Sequence, residues 1–225
     1  MIKPDKSLLD ELTGLLSRRV FLERFRETLV KAKSSPKEAP LSLALLDVDI
    51  FNKINEQYGH TTGDHVLVAV SEAIQVDAGN DALLGRYGGD EFVIVFPGEE
   101  REQAFLKTEQ IRQVLSQRDL VTENGKTIHG IYISGGVASF PVDGRTENEL
   151  FRKADHALYR AKANGRRQVR LAFEERMVPK TTHYTQTQLE RLSKLAEGKG
   201  VSEADLLREA MDDFLTKYGV NDIET

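Results

Sequence analysis

Leu41-Ser-Leu-Ala-Leu-Leu-Asp-Val-Asp49 is an almost unbroken apolar run closed by two carboxylates. A strand covered on both faces reads this way, so the run predicts a central strand delivering Asp47 and Asp49 to its C-terminal edge. Helical spacing flanks it. Val20, Phe21, Leu22, Phe25 and Leu29 predict a helix over 18–33 with Ser17 as N-cap, closed by Ser34-Ser-Pro-Lys-Glu-Ala-Pro40. Val66, Leu67, Ala69, Val70, Ala73 and Ile74 predict another over 63–76. Leu83–Tyr87 and Phe92–Phe96 then flank Gly88-Gly89 as a tight hairpin with carboxylates at its tip. Beyond it the pattern predicts a helix over 102–117 and a hairpin at Asn124-Gly125 that leads into a strand over 128–140, ended by Pro141. A helix over 146–163, stopped by Asn164-Gly165, and a last strand over 168–173 complete the series.

Two periods alternating in this way predict one α/β (α+β) domain over residues 1–173. Residues 174–180 are charged and proline-bearing and read as a linker, and residues 181–225 as a second, smaller unit. That unit is expected to be a strand-helix-helix module: an extended segment over 181–185, a helix over 187–197, the break Gly198-Lys-Gly200, and a helix capped by Ser202 that runs to Tyr218. Leu189, Leu192, Leu195, Leu206, Leu207, Met211 and Phe214 give it more apolar surface than so short a unit can cover alone, so dimerisation is expected.

Composition narrows the classes. In 225 residues, 40% hydrophobic and 30% charged content supports a folded core and excludes a disordered chain. The absence of cysteine excludes a disulfide scaffold, a thiolate zinc site and a cysteine nucleophile. No window resembles a signal peptide or a membrane span, so the expectation is a cytoplasmic protein with no membrane partner. A net charge of −5 argues against broad polyanion binding.

The chemistry concentrates at the hairpin tip, Gly88-Gly89-Asp90-Glu91-Phe92, together with Asp47 and Asp49. Carboxylates brought onto one edge repel each other and raise their own pKa values, so the cluster makes sense with a hard cation such as Mg²⁺ or Mn²⁺ to neutralise it. Glycines at 88 and 89 clear the approach to the backbone. Asp49 takes part directly or only stiffens the loop after the strand, and His60 reads as a loop brace.

Asp10-Glu-Leu-Thr-Gly-Leu-Leu-Ser-Arg-Arg19, Asp47-Val-Asp49 with Phe51, Asn55, Tyr58-Gly-His60 and Gly63-Asp64, Arg86-Tyr-Gly-Gly-Asp-Glu-Phe92, and Ala154-Asp155 through Gly165-Arg166 stand in one order. In these blocks the sequence resembles the GGDEF family of diguanylate cyclases, over roughly residues 10–173. The resemblance implies a fold like the nucleotidyl cyclase and polymerase palm, an antiparallel sheet flanked by helices. It implies that two GTP molecules become cyclic di-GMP with release of two pyrophosphates, across a homodimer. Asp47 and Asp90 would hold the metal through carboxylates and Val48 through its carbonyl, with Glu91 as second ligand or base. Asp64, assisted by Asn55, would accept the adjacent N1–H and 2-amino donors of guanine, which adenine lacks. Phe51, Asn52 and Lys53 would offer backbone N–H groups to the phosphates, and Lys162 and Arg166 their cations.

The sequence also departs from the family. Asn52, Glu56, Ser17 and Arg167 stand where Lys, Asp, Asn and Asn are common, and Gly79-Asn-Asp-Ala82 stands where an inhibitory product site has Arg-x-x-Asp. No strong product inhibition by that route is expected. Residues 181–218 resemble a ribbon-helix-helix domain, an obligate dimer that can read DNA, with Thr181 and His183 outward if Tyr184 points inward. From Arg176 onward seven Lys or Arg face nine Asp or Glu, a net of −2, which favours a dimerising or ligand-sensing role over DNA binding. No sensory domain is expected ahead of Asp10, so a signal would act through the tail or a partner. The alternative reading is a GTP- or cyclic-di-GMP-responsive DNA-binding regulator with little turnover.

Overall fold

The computed structural model describes residues 8–35, 39–122, 125–172, 181–199 and 202–218. The chain divides into two compact units, Met1–Glu174 and Glu175–Thr225.

The first unit is a three-layer sandwich around a six-stranded sheet of order β1-β3-β4-β2-β7-β8. These strands are β1 (Leu16–Ser17), β2 (Leu41–Val48), β3 (Leu83–Arg86), β4 (Glu91–Pro97), β7 (Ile133–Phe140) and β8 (Val169–Leu171), while β5 (Leu120–Val121) and β6 (Thr127–Ile128) form a separate hairpin. The four inner strands are antiparallel, but β1 joins β3 and β8 joins β7 in parallel, so the sheet is mixed rather than antiparallel throughout.

Strand β2 is buried along its whole length because both faces are covered. Its even-numbered residues Ala44, Leu46 and Val48 pack with α3 (His60–Asp77) and α4 (Arg101–Ser116). Its odd-numbered Leu41, Leu43 and Leu45 pack with Phe21, Phe25 and Leu29 of α1 (Arg18–Ser34) and with Leu150, Ala154 and Leu158 of α5 (Glu147–Ala163). Period two therefore assigns each side chain of β2 to one helical layer.

Ser17 holds the N-cap position of α1 as expected, without a side-chain cap bond. Three expectations need correction. A short helix, α2 (Phe51–Tyr58), follows β2 directly, where the sequence predicted none. The strand expected over 128–140 is two, because Gly130 turns with φ +74° between β6 and β7. Residues 181–185 form no strand, since a ribbon strand needs a partner to pair with. Asn124 of the expected turn, Phe173 of the last strand, the 174–180 linker and Gly200 lie outside the described residues.

In the second unit α6 (Gln186–Lys199) and α7 (Glu203–Lys217) pack on each other. Thr185 caps α6 by accepting from the Gln188 N–H at 3.3 Å, and the Ser202 carbonyl accepts from the Leu206 N–H at the start of α7. Among the described residues no helix is long and apolar enough to cross a membrane.

Candidate functional site

Asp47 continues the odd-numbered parity of β2 and lies opposite Glu91 in the β2–β4 register, so the two carboxylates stand side by side on the α5 face. From α5, Lys162 reaches across and its Nζ bonds Asp47 Oδ2 at 2.7 Å. Burial pushes the Asp47 carboxyl up to about 6, against the pull of Lys162 and with the charges of Asp90 and Glu91 adding to the rise. Asp90 belongs to the signature turn, and its carbonyl accepts the Val48 N–H at 3.1 Å. That bond ties the end of β2 to the turn.

The turn is braced from three sides. Glu91 carries its carboxylate over Gly88, where a Cβ would meet Oε2 at 2.5 Å, so any side chain at 88 would displace Glu91. The Glu91 carbonyl accepts the N–H groups of Tyr87 and Gly88. Arg86 donates to the Gly89 carbonyl at 2.7 Å and to Asp10 at 3.1 Å. Asp10 in turn accepts from the Thr13 N–H and hydroxyl. Burial opposes the charge on Asp10, but the bonds from Thr13 and Arg86 outweigh it and hold the carboxyl below its ordinary value. This Asp10–Arg86 brace spans 76 positions. The sequence shows both residues within matched blocks and gives no sign that they meet.

Asn55 sits in the second turn of α2 with Oδ1 buried and without a hydrogen-bond partner. It rests against Gly63 of α3, where a Cβ would lie 1.9 Å from that oxygen. Asp64, the next residue, is exposed. Asn55 and Gly63 thus meet in a patch between α2 and α3, with the exposed Asp64 next along α3. At the head of α2 the first-turn N–H groups of Phe51 and Asn52 have no intrahelical acceptor, whereas Lys53 donates its own to the Ile50 carbonyl at 2.9 Å.

Asp49 is buried, and its carboxylate is committed to protein partners: Oδ1 accepts from the Ser134 hydroxyl at 2.7 Å and Oδ2 from the Arg167 N–H at 3.0 Å. Arg166, exposed and at φ +63°, lies in the turn those bonds secure. His60 is exposed as the first residue of α3. Thr181 and His183 are exposed in the second unit.

Among the described residues no three His, Asp or Glu side chains form a closed metal cage. The set on offer is open: Asp47 at the end of β2, the carboxylates of the signature turn tied to that end through the Val48 N–H, and the carbonyl of Val48 next in the chain. Hard, oxygen-only donors that leave room for substrate phosphates suit Mg²⁺ or Mn²⁺, and a carboxylate raised first by burial and then by two like charges is what a cation would relieve. The residues fit a divalent ion.

The family model described as diguanylate cyclase, GGDEF domain, matches residues 7–168. A diguanylate cyclase of Vibrio cholerae is 37% identical over 157 residues, 70% of this chain and 47% of the relative. The diguanylate cyclase DosC of Escherichia coli is 37% identical over 164 residues, 72% of this chain and 35% of the relative. The chain therefore spans less than half the length of these curated relatives. Among solved structures, the GGDEF domain of DgcB from Caulobacter crescentus, in complex with c-di-GMP, is similar with a TM-score of 0.70 at 32% identity, covering 78% of this chain and 97% of that one. The active GGEEF domain of a Vibrio cholerae diguanylate cyclase gives 0.65 at 34% identity, covering 72% and 99%. Fold, signature turn and a match that takes in most of the chain agree, and the chain belongs to the GGDEF diguanylate cyclase family.

Proposed function

We propose that this chain is a diguanylate cyclase that condenses two GTP molecules into cyclic di-GMP and two pyrophosphates. The observation that carries the reading is the juxtaposition of Asp47 with Glu91 across β2 and β4, with Asp90 beside them and Lys162 opposite. Asp47, Asp90 and the Val48 carbonyl would hold the divalent ion, with Glu91 as second ligand or base. A bound Mg²⁺ or Mn²⁺ would lower the pKa of the attacking 3′-hydroxyl and offset charge on the triphosphate.

The chain's own groups supply recognition and position. Asp64 accepts the two adjacent donors on the guanine edge and Asn55 reaches the same base from α2, which gives the buried Asn55 oxygen a partner. A purine without those donors leaves both unpaired. In the first turn of α2, Phe51 and Asn52 offer backbone N–H donors and Lys53 its side chain to the phosphates, the Lys53 N–H being held by the Ile50 carbonyl. Lys162, bonded to Asp47 at 2.7 Å, would be released toward the triphosphate where a bound ion holds that carboxylate, and Arg166 faces the terminal phosphates. In each half-reaction the 3′-oxygen of one nucleotide bonds to the α-phosphorus of the other, its proton leaves to a base, and pyrophosphate departs. One domain holds one GTP, so the reaction needs two domains facing each other.

That requirement gives the second unit its role, pairing two chains of a cytoplasmic enzyme. The exposed stripe Leu207, Met211 and Phe214 on α7, with Tyr218 just past its end, supports it. The net charge of −2 from Arg176 onward speaks against DNA as its partner.

Incubation of the full chain with GTP and Mg²⁺, followed by mass spectrometry of the nucleotides, tests the reading. Cyclic di-GMP formed over many turnovers, and lost in Asp90→Asn, is expected. Unconsumed GTP bound to a dimer would instead favour a nucleotide-responsive regulator.

A further inference from the structure

Arg167 departs from the family pattern, and its guanidinium lies over the Tyr132 ring, 3.6 Å from the centroid. Its backbone N–H is bonded to Asp49 Oδ2 at 3.0 Å, and the Asp49 N–H is bonded to the Tyr132 carbonyl at 2.9 Å. The three residues thus close a ring of contacts, backed by the Ser134 hydroxyl on Asp49 Oδ1. Both segments that leave this ring are strained. Ile50, next after Asp49, has φ +55°, and Gly165, Arg166 and Arg167 have φ +96°, +63° and +54° in succession. Residues with a Cβ persist in this left-handed region only where their surroundings over-determine them. The ring adds to the bond of the Arg166 N–H to the Ala161 carbonyl at 2.9 Å in constraining the turn after α5.

We propose that Asp49, Tyr132 and Arg167 form a clasp that holds the Gly165–Arg167 turn so that Arg166 is presented to the terminal phosphates of the substrate. The three are positioning residues for the triphosphate. The clasp rests on the assignment of Arg166 to those phosphates made above. Arg167 acts through its neighbour: its own cation is engaged on Tyr132, and its backbone sets the conformation at 166.

Arg167 is exposed, so its substitution tests position without opening the core. Arg167→Asn keeps a residue that tolerates the left-handed region and keeps the backbone donor, but removes the stack. In the full chain this variant should raise KM for GTP about three- to tenfold, the size of losing one partly exposed cation–π contact and the order it imposes. The rise in KM should exceed any fall in kcat. Affinity for GMP, which lacks the β- and γ-phosphates, should stay at the wild-type value. Arg167→Lys, which restores a cation over the ring, should recover part of the loss. Tyr132→Leu should match Arg167→Asn, and the double variant should be no worse than either single one. A KM for GTP that does not move, or GTP and GMP weakened equally, would overturn the clasp. Wild-type protein that binds GTP no tighter than GMP would overturn the Arg166 assignment itself, and the clasp with it.

Discussion

Asn55 and Gly63 depend on each other. The amide oxygen of Asn55 lies where a Cβ on Gly63 would be, at 1.9 Å, and the Phe51 ring edge stands 3.2 Å from the same point. Gly63→Ala must therefore push Asn55 out of the α2–α3 patch, at about 1–3 kcal/mol of overpacking. The expected outcome is a rise of about tenfold or more in KM for GTP in a protein that still melts cooperatively, read from initial rates and a thermal scan side by side. At this scale the sequence was readable wherever a candidate site residue ends an apolar run, as Asp47 does, or sits in a glycine turn, as Asp90 and Glu91 do. It was silent where the partner is remote. Ser134 and Arg167 stand 85 and 118 positions from Asp49, and nothing local to any of the three marks the contact.

Helix α5 carries Lys162 at one end and a capping box at the other. Thr146 accepts the Glu149 N–H, while Glu149 accepts the N–H groups of Arg145 and Thr146. The Arg145 bond, opposed by partial burial and reinforced by Thr146, holds the Glu149 carboxyl below its ordinary 4.5. The charged form therefore stabilises the fold fully above pH 4.5, and the contribution fades as pH falls through the lower folded value. Glu149→Ala should cost about 1 kcal/mol in denaturant melts at pH 7, and the gap to wild type should shrink in melts run below pH 4.5. The loop after α3 yields a second expectation. Gly79 takes φ +95° with Lys107 Nζ 3.2 Å from where its Cβ would be, and neither Arg nor Asp stands at positions 79 and 82 to anchor a dinucleotide. Initial rates should stay flat as cyclic di-GMP is added; noncompetitive inhibition at low micromolar product would contradict this. Element boundaries were legible where a cap or a proline marks them, as at Thr146 and Pro141. The break at Gly130 was hidden because Ile128 to Phe140 reads as one apolar stretch.

In the second unit Leu207, Met211 and Phe214 follow one another at helical spacing on α7, Tyr218 continues the spacing just past its end, and they remain 37%, 57%, 57% and 64% exposed. A second copy is the partner that the proposed pairing of two cyclase domains would require. Light scattering should give a mass near twice 25.3 kDa for wild type, and Phe214→Glu should shift it toward the monomer. The same variant should lower cyclase activity most at low protein concentration, where pairing limits the rate. A dimer unaffected by the substitution would place the contact elsewhere. For the molecule as a whole, the sequence by itself determined the layers and the edge at which chemistry gathers, because periodicity and chain-end carboxylates are local properties of a strand or a helix. Only the tertiary structure decided which carboxylate meets Lys162, that Asp49 is tied to the loops while Asp47 faces the site, and that Arg86 braces the signature turn from Asp10. Those outcomes depend on strand register and on which helix covers which face. Register is set by the packing of the entire sheet, and no single segment contains it.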